Sequence, residues 1–157
     1  MTNPLFVLEY TVMVIEYEGS GEIGKMEKLP SETETILIVD DQETIWDFLI
    51  ETLQHLGYTV LLAEDGQDAV EIYENNPGGI DLVLLDMIMP RLGGPEAFRR
   101  IRALDPDARI LLSSGFVSEE DVRELLQQGA CGFLPKPHRL PVVCRAIREA
   151  LDADTHK

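Results

Sequence analysis

The sequence predicts an α/β fold in which a five-stranded parallel sheet is doubly wound, with helices over both of its faces. Short apolar runs alternate with segments of helical periodicity, and this alternation requires right-handed crossovers between parallel strands. The central run, Leu82 to Leu85, is apolar throughout, which is typical of a strand buried on both faces. The length of 157 residues suits one domain with a full hydrophobic core.

Each strand and helix has its own signal. Short apolar runs predict strands over residues 36–39, 58–63, 80–85, 109–113 and 131–134. Apolar residues at helical spacing predict helices over residues 43–56, 66–75, 95–104, 118–129 and 140–151. The first of these helices repeats Phe48, Leu49 and Leu53 at helical spacing. Gly57 follows it where a C-cap belongs, and Ser118 before three acidic residues is the N-cap signature of the fourth helix.

The predicted domain covers residues 35–153, with an extension of residues 1–34 before it and a tail of residues 154–157 after it. Within the extension, residues 5–17 are rich in Val, Tyr, Thr and Ile, whereas most of the remainder is typical of a linker. The sequence therefore leaves open whether the extension is disordered or adds a strand.

The charge of the chain is strongly acidic. With 29 acidic and 13 basic residues, the net charge is −16, which disfavours binding to nucleic acid or to an anionic membrane. The apolar run of residues 10–15 lies between Glu9 and Glu16 without a positively charged lead, so neither a signal peptide nor a transmembrane helix is predicted. We therefore expect a cytoplasmic protein whose partners are other proteins.

Polar side chains follow four of the predicted strands. Asp40 and Asp41 follow the first strand, Asp86 the third and Lys136 the fifth, while the fourth ends in the segment 113–115, Ser-Ser-Gly. With the strand order 2-1-3-4-5, these four loops share the carboxyl edge of the sheet, around the point where the strand order reverses. We therefore expect three carboxylates, a hydroxyl and an ammonium group to converge there.

Three carboxylates in one place need a counter-charge, which a divalent cation supplies. Oxygen ligands alone favour Mg²⁺ over Zn²⁺, which prefers His or Cys. A site with Mg²⁺ on one side and Lys136 on the other would complement a phosphoryl group. Asp86 would then be the nucleophile and would form an acyl phosphate.

Four motifs stand at the strand ends: ILIVDD at residues 36–41, DMIMP at 86–90, LSSG at 112–115 and FLPKP at 133–137. With these motifs and their spacing, residues 35–152 closely resemble the receiver domain of two-component response regulators. The strands are most similar to those of receivers attached to hybrid sensor histidine kinases. The resemblance implies a flavodoxin-like (βα)5 fold with the strand order 2-1-3-4-5.

The resemblance also implies a metal site. In the family pattern, Asp86 is the phosphoacceptor and a ligand of Mg²⁺. Asp41 corresponds to a direct Mg²⁺ ligand and Asp40 to one that acts through water. The backbone carbonyl of Ile88 completes the ligands that the protein supplies.

Other matched positions correspond to the family's switch. Ser114, rather than Ser113, corresponds to the switch hydroxyl of the family, because the family places a small residue directly after that hydroxyl. Phe133 corresponds to an aromatic residue that rotates inward when this hydroxyl moves. The resemblance implies that Lys136 pairs with the phosphoryl group, and the corresponding peptide bond, here between Lys136 and Pro137, is cis in the family.

Two apolar side chains occupy the positions that tune hydrolysis of the acyl phosphate in the family. These residues are Ile88 and Phe116. Because an apolar side chain cannot orient an attacking water, we expect slow self-dephosphorylation.

The resemblance implies that a sensor histidine kinase or a histidine phosphotransfer protein phosphorylates Asp86. The face formed by the fourth helix, the fifth strand and the fifth helix then changes its affinity for a partner, and a homodimer through this face stays open. The domain would catalyse only its own phosphorylation and dephosphorylation, so it is not expected to be an enzyme with a separate substrate. Output is expected through protein contact, in a separate regulator or in a part of a hybrid kinase.

Three alternatives follow from the residues. A Mg²⁺-dependent aspartyl phosphohydrolase would need a second acid two residues after the nucleophile, where this chain has Ile88. A flavodoxin-like electron carrier would need a loop rich in glycine and hydroxyl groups after the first strand, where residues 40–43 are mostly acidic. A receiver-like module that binds its partner without phosphorylation would not need the full set of site residues.

Overall fold

The computed structural model describes residues 34–115, 118–136 and 139–153, without the side chains of residues 43–46. The predictions on residues 1–33, on the tail of residues 154–157, on Phe116 and on the peptide bond to Pro137 lie outside the described residues.

In this part of the chain, five strands alternate with five helices. The strands are β1 Thr35–Val39, β2 Thr59–Ala63, β3 Leu82–Asp86, β4 Ile110–Ser114 and β5 Gly132–Pro135. The helices are α1 Glu43–His55, α2 Gly66–Asn75, α3 Gly94–Leu104, α4 Glu119–Gln127 and α5 Leu140–Asp152. All strands are parallel, in the order β2-β1-β3-β4-β5. The predicted fold class and strand order are therefore confirmed.

Alternate side chains of the central strands enter two cores, one on each face of the sheet. On one face, Val83 and Leu85 of β3 pack with residues of α2 and α3. On the other face, Leu82 and Leu84 pack with residues of α1 and α5. Every residue of β3 is buried, as the continuous apolar run predicts.

The ends of the helices follow their sequence signals, whereas one apolar residue of α1 does not. Gly57 has φ 100°, the left-handed conformation that a residue after a helix often adopts. The Ser118 hydroxyl accepts a hydrogen bond from the N–H of Asp121 over 3.1 Å, as an N-cap does. Leu53 is buried in the core, but Phe48 is 41% exposed on the surface of α1.

The last three strands each end one residue later than the sequence predicts. Asp86, Ser114 and Pro135 are therefore the final residues of β3, β4 and β5. The sheet pattern even continues one step further, because the N–H of Met87 donates to the carbonyl of Ser113 over 2.9 Å and the N–H of Lys136 to that of Ser114 over 2.9 Å. Asp86 and Ser114 are therefore part of the strands themselves, and Lys136 directly continues β5.

Arg148 of α5 connects the start of the described chain to the face of the sheet that α1 and α5 cover. Its guanidinium binds the Glu34 carboxylate through two hydrogen bonds of 2.8 and 2.9 Å. It also donates to the Tyr58 hydroxyl over 3.2 Å and to Asp152 over 2.8 Å. Burial raises the pKa of Tyr58 to about 12. Glu34, immediately before β1, is therefore fixed against α5.

Candidate acidic site at the carboxyl edge of the sheet

Three carboxylates meet where β1 and β3 end. One oxygen from each of Asp40, Asp41 and Asp86 lies within 4.8 Å of the others. The strands that carry them are direct neighbours, with the Cα of Val39 opposite that of Leu85. Asp40 and Asp86 are buried and Asp41 is exposed, so the cluster opens to solvent on one side.

Lys136 brings a positive charge to this cluster from the far end of the sheet. Its Nζ lies 2.7 Å from Asp40 Oδ2 and 3.3 Å from Asp86 Oδ2. Burial alone would lower the pKa of Lys136, but the hydrogen bonds and charges of the two carboxylates outweigh it and raise this pKa. The lysine is therefore charged at neutral pH and bridges both buried acids.

Opposing interactions act on the pKa of Asp86. Burial and the nearby charge of Asp40 raise the pKa of Asp86, and the Ile88 N–H and Lys136 offset only part of this effect. Because the charged form of this carboxylate is disfavoured, binding a cation or forming a covalent bond that removes the charge is favourable. The site is thus complementary to a metal ion and to an electrophile at the Asp86 oxygens.

Backbone N–H groups orient the two buried carboxylates. The N–H of Gln42 donates to Asp40 Oδ1 over 2.8 Å, and the N–H of Ile88 donates to Asp86 Oδ1 over 3.2 Å. Each carboxylate therefore has one oxygen held by the chain and the other directed at Lys136.

The first turn of α3 packs directly on the end of β3. A Cβ atom at Gly94 would lie 2.6 Å from the carbonyl oxygen of Asp86 and 2.6 Å from Met87 Cα. No side chain fits at such distances, so glycine is the residue that allows this approach. The N–H of Gly94 closes the loop by donating to the carbonyl of Met87 over 3.1 Å.

Three further predicted residues lie on β4, on β5 and in the loop after β3. Ser114 is buried at the end of β4, one position beyond Ser113, whose Cα is opposite that of Asp86. Phe133 of β5 is half-buried and packs against the core that α2 and α3 cover. Ile88 is 56% exposed, in the loop that follows Asp86.

The donor set suits Mg²⁺. The cluster offers carboxylate oxygens, and its exposed side leaves room for water ligands. Asp40, Asp41, Asp86 and the Ile88 carbonyl would hold the ion, which would supply charge neutralisation at the Asp86 carboxylate.

Two charged residues near this loop were not predicted from the sequence. Arg91, in the segment between β3 and α3, forms an ion pair with Asp65, which is buried before α2. Asp65 accepts a hydrogen bond from the N–H of Asp68 over 2.8 Å, so its place before a helix was a recognisable N-cap signal. Its pairing with Arg91 has no local signal, because the two residues are 26 positions apart.

Comparison with known proteins identifies the class to which this fold and site belong. The sequence pattern of the response regulator receiver domain matches residues 36–148. The chain therefore belongs to the response regulator receiver domain family, the signalling modules of two-component systems.

The similar proteins include a sensor kinase and chemotaxis proteins. Sensor kinase CckA of Brucella abortus is 35% identical over 118 residues, which are 75% of this chain and 12% of the kinase. Chemotaxis protein CheY of Halobacterium salinarum is 36% identical over 119 residues, which are 75% of this chain and 97% of that protein. A chain in the crystal structure of the CheX–CheY–BeF3–Mg²⁺ complex from Borrelia burgdorferi has a TM-score of 0.72 and 30% identity, covering 76% of this chain and 90% of that one.

Among the helices that the structure describes, none has the length and apolar character that spanning a membrane requires.

Proposed function

We propose that Asp86 accepts a phosphoryl group from a phosphohistidine on a sensor histidine kinase or a histidine phosphotransfer protein. The observation that carries this proposal is the convergence of three carboxylates within 4.8 Å, with Lys136 Nζ 3.3 Å from Asp86 Oδ2. An anionic nucleophile, a fixed cation and oxygen ligands for a metal are the parts that phosphoryl transfer requires.

In the transfer step, a carboxylate oxygen of Asp86 forms a bond to phosphorus while the phosphorus–nitrogen bond to the donor imidazole breaks. The imidazole keeps the electron pair of that bond and takes up a proton. The Ile88 N–H holds Asp86 Oδ1 over 3.2 Å, which leaves Oδ2, on the side of Lys136, for the attack. Lys136 then has an oxygen of the new acyl phosphate as a partner for its charge.

Mg²⁺ dependence is part of the proposal. The net negative charge of three carboxylates and one lysine would repel a phosphoryl group, so a divalent cation is needed for the donor to approach. The related CheX–CheY complex contains BeF3 and Mg²⁺, which supports this requirement by analogy. Asp41, the exposed member of the cluster, is the ligand most accessible to an entering ion.

The acyl phosphate would act through Ser114 and Phe133. Ser114 is buried next to the site, and Phe133 lies one strand further along the sheet, so a shift of the hydroxyl towards the phosphoryl group would free space beside β5. The output face would be that of α4, β5 and α5, and Leu126 of α4 and Val142 of α5 are apolar residues that are 40% and 48% exposed. The proposal includes a cytoplasmic location. Its partners would be proteins, including a second copy of this chain in a homodimer.

The test is labelling with a small phosphodonor. Wild type incubated with acetyl phosphate and Mg²⁺ should gain the mass of one phosphoryl group, and beryllofluoride should bind in its place. Asp86→Asn should gain neither, whereas Asp107→Asn, which changes an exposed acid outside the cluster, should behave like wild type. Labelling of Asp86→Asn to the wild-type level, or wild-type labelling without Mg²⁺, would show the proposal to be wrong.

A further inference from the structure

The segment between β3 and α3, residues 87–93, rests on the beginning of α2. Two contacts in the described chain join residues 91 and 92 of this segment to the start of α2: the Arg91–Asp65 ion pair and a 3.1 Å hydrogen bond from the N–H of Gly66 to the Leu92 carbonyl. The same segment carries the Ile88 carbonyl, which is a ligand in the proposed metal site. The position of this ligand therefore depends on how firmly the segment is held.

Asp65 is a buried carboxylate that forms two interactions, one through each oxygen. Only 3% of its side chain is exposed. One oxygen accepts the N–H of Asp68 over 2.8 Å and caps α2, and the other accepts from Arg91. Burial would raise the pKa of Asp65, but the backbone N–H groups and Arg91 together lower it. Without Arg91, a buried charge would lose its counter-charge.

Arg91 has an unusual backbone conformation. Its φ is 64°, and in the described ranges it is the one residue other than glycine with a positive φ. Such a conformation costs free energy that surrounding contacts must offset. The ion pair with Asp65 and the hydrogen bond from Gly66 to the adjacent Leu92 carbonyl are two contacts that can offset this cost.

The contact between the two segments is close. A Cβ atom at Gly66 would lie 2.3 Å from the Leu92 carbonyl oxygen, so the backbone of the segment lies directly on the first turn of α2. At its other end, the segment is closed by the hydrogen bond from Gly94 to Met87. Ile88 to Pro90 are thus held between the end of β3 and the start of α2.

We propose that Asp65 and Arg91 are positioning residues for the metal site, which fix the Ile88 carbonyl by holding the β3–α3 segment on α2. This inference rests on the proposed function, since it concerns the same Mg²⁺ site. Neither residue touches the ion in this arrangement. Loss of the pair lets Ile88 to Arg91 sample more conformations, so that binding Mg²⁺ must first order the ligand.

The test measures Mg²⁺ affinity and the mobility of the segment separately. For Arg91→Ala, calorimetric titration with Mg²⁺ should give a Kd raised about tenfold, the lower end of the effect expected for residues that orient ligands. Amide hydrogen exchange without Mg²⁺ should become faster in residues 87–93. Arg91→Lys, which keeps the charge but not the planar group, should fall between wild type and Arg91→Ala.

A matched control separates positioning from stability. Arg148→Ala removes a guanidinium that pairs with Glu34 and Asp152, none of which belongs to the site, so it should lower stability without changing the Kd for Mg²⁺. If Arg91→Ala does not fold, Arg91→Lys and Asp65→Asn, which keeps an oxygen for the Asp68 N–H, decide the question.

The two proposals fail in different ways. Wild-type affinity and exchange in the Arg91 and Asp65 variants would overturn the positioning role and leave the phosphoacceptor role intact. A wild type with no measurable Mg²⁺ affinity would overturn the proposed function itself.

Discussion

Lys136 Nζ lies 2.7 Å from Asp40 Oδ2, and this ion pair joins the ends of β5 and β1, between which β3 and β4 lie in the sheet. The Asp40 side chain is completely inaccessible to solvent, so it depends on Lys136 and on the Gln42 N–H for compensation of its charge. The pair is 96 residues apart in the chain. It therefore contributes to the fold as well as to the proposed chemistry.

Lys136→Met should lower the stability of the domain and slow phosphorylation of Asp86. Without the ammonium group, two buried carboxylates lose their cation, and we expect the free energy of unfolding in the absence of Mg²⁺ to fall by about 3 kcal/mol, the lower end of the cost of breaking a buried pair. Labelling of Asp86 should slow about 100-fold, because a fixed charge at the transition state is lost. Urea unfolding and time-resolved mass measurement test the two effects.

Lys136→Arg is the control for this prediction. It keeps the charge and should recover most of the stability, although the planar guanidinium does not reproduce the geometry of the ammonium group. If Lys136→Met unfolds and labels like wild type, the ion pair contributes to neither property.

Much of the fold and part of the site could be predicted because the signals are local. The apolar run of residues 82–85 and the caps at Gly57 and Ser118 follow from sequence pattern alone. The strand order then implies that acidic loops after β1 and β3 meet. Phe48 shows the limit of periodicity, since an apolar residue at helical spacing can still lie at the surface.

Long-range side-chain pairs could not be predicted in this way. Arg148 and Glu34 are 114 residues apart, and no local pattern links them. Arg91 adopts a positive φ that sequence reasoning assigns to glycine or asparagine, and its ion pair with Asp65, 26 residues away, is one contact that can offset the cost of this conformation. Such pairs form only when helices and strands that are distant in the sequence pack together.

The stability of the domain should depend on pH through Asp65. The pKa of this carboxyl is lowered in the folded state, so its contribution is fully present above the unfolded value near 3.9 and is lost as the pH falls through the folded value. Asp65→Asn should be less stable than wild type by about 2 kcal/mol at pH 7, the scale of a hydrogen bond to a charged group.

The difference between wild type and Asp65→Asn should shrink as the pH falls below about 4. Urea unfolding from pH 7 to pH 3 without Mg²⁺ measures it, with Asp107→Asn as the variant of an exposed acid that should track wild type. A difference that stays constant or grows at low pH would contradict the role of the Asp65 charge.

The phosphorylated domain should be long-lived, because Ile88 beside the site is apolar. Ile88 follows Asp86 by two residues and is 56% exposed, and an apolar side chain at this position would offer no group to orient an attacking water. We expect a lifetime of minutes or longer, shortened severalfold by Ile88→Asn and unchanged by Ile88→Leu. Decay of the phosphorylated mass after removal of the phosphodonor gives these lifetimes, and a wild-type lifetime of seconds would refute the prediction.

Two adjacent glycines provide the sharpest test of how α3 positions the site. At Gly94 an added Cβ would lie 2.6 Å from the Asp86 carbonyl oxygen, whereas at Gly93 its nearest contacts would be at 3.9 Å. Gly94→Ala must therefore displace either the end of β3 or the first turn of α3, and we expect it to cost about 1–3 kcal/mol of stability. Gly93 has φ −74°, which any residue can adopt, so Gly93→Ala should be tolerated.

The same comparison separates the close packing of α3 from a general sensitivity of the loop. Because the displaced groups are the carbonyl of Asp86 and the Cα of Met87, Gly94→Ala should also move the Asp86 carboxylate relative to Asp40 and Lys136. Beryllofluoride binding in the presence of Mg²⁺ should then weaken in Gly94→Ala and remain unchanged in Gly93→Ala. Equal losses in both variants would indicate that loop flexibility matters, and equal tolerance would mean that β3 and α3 can separate without disturbing the site.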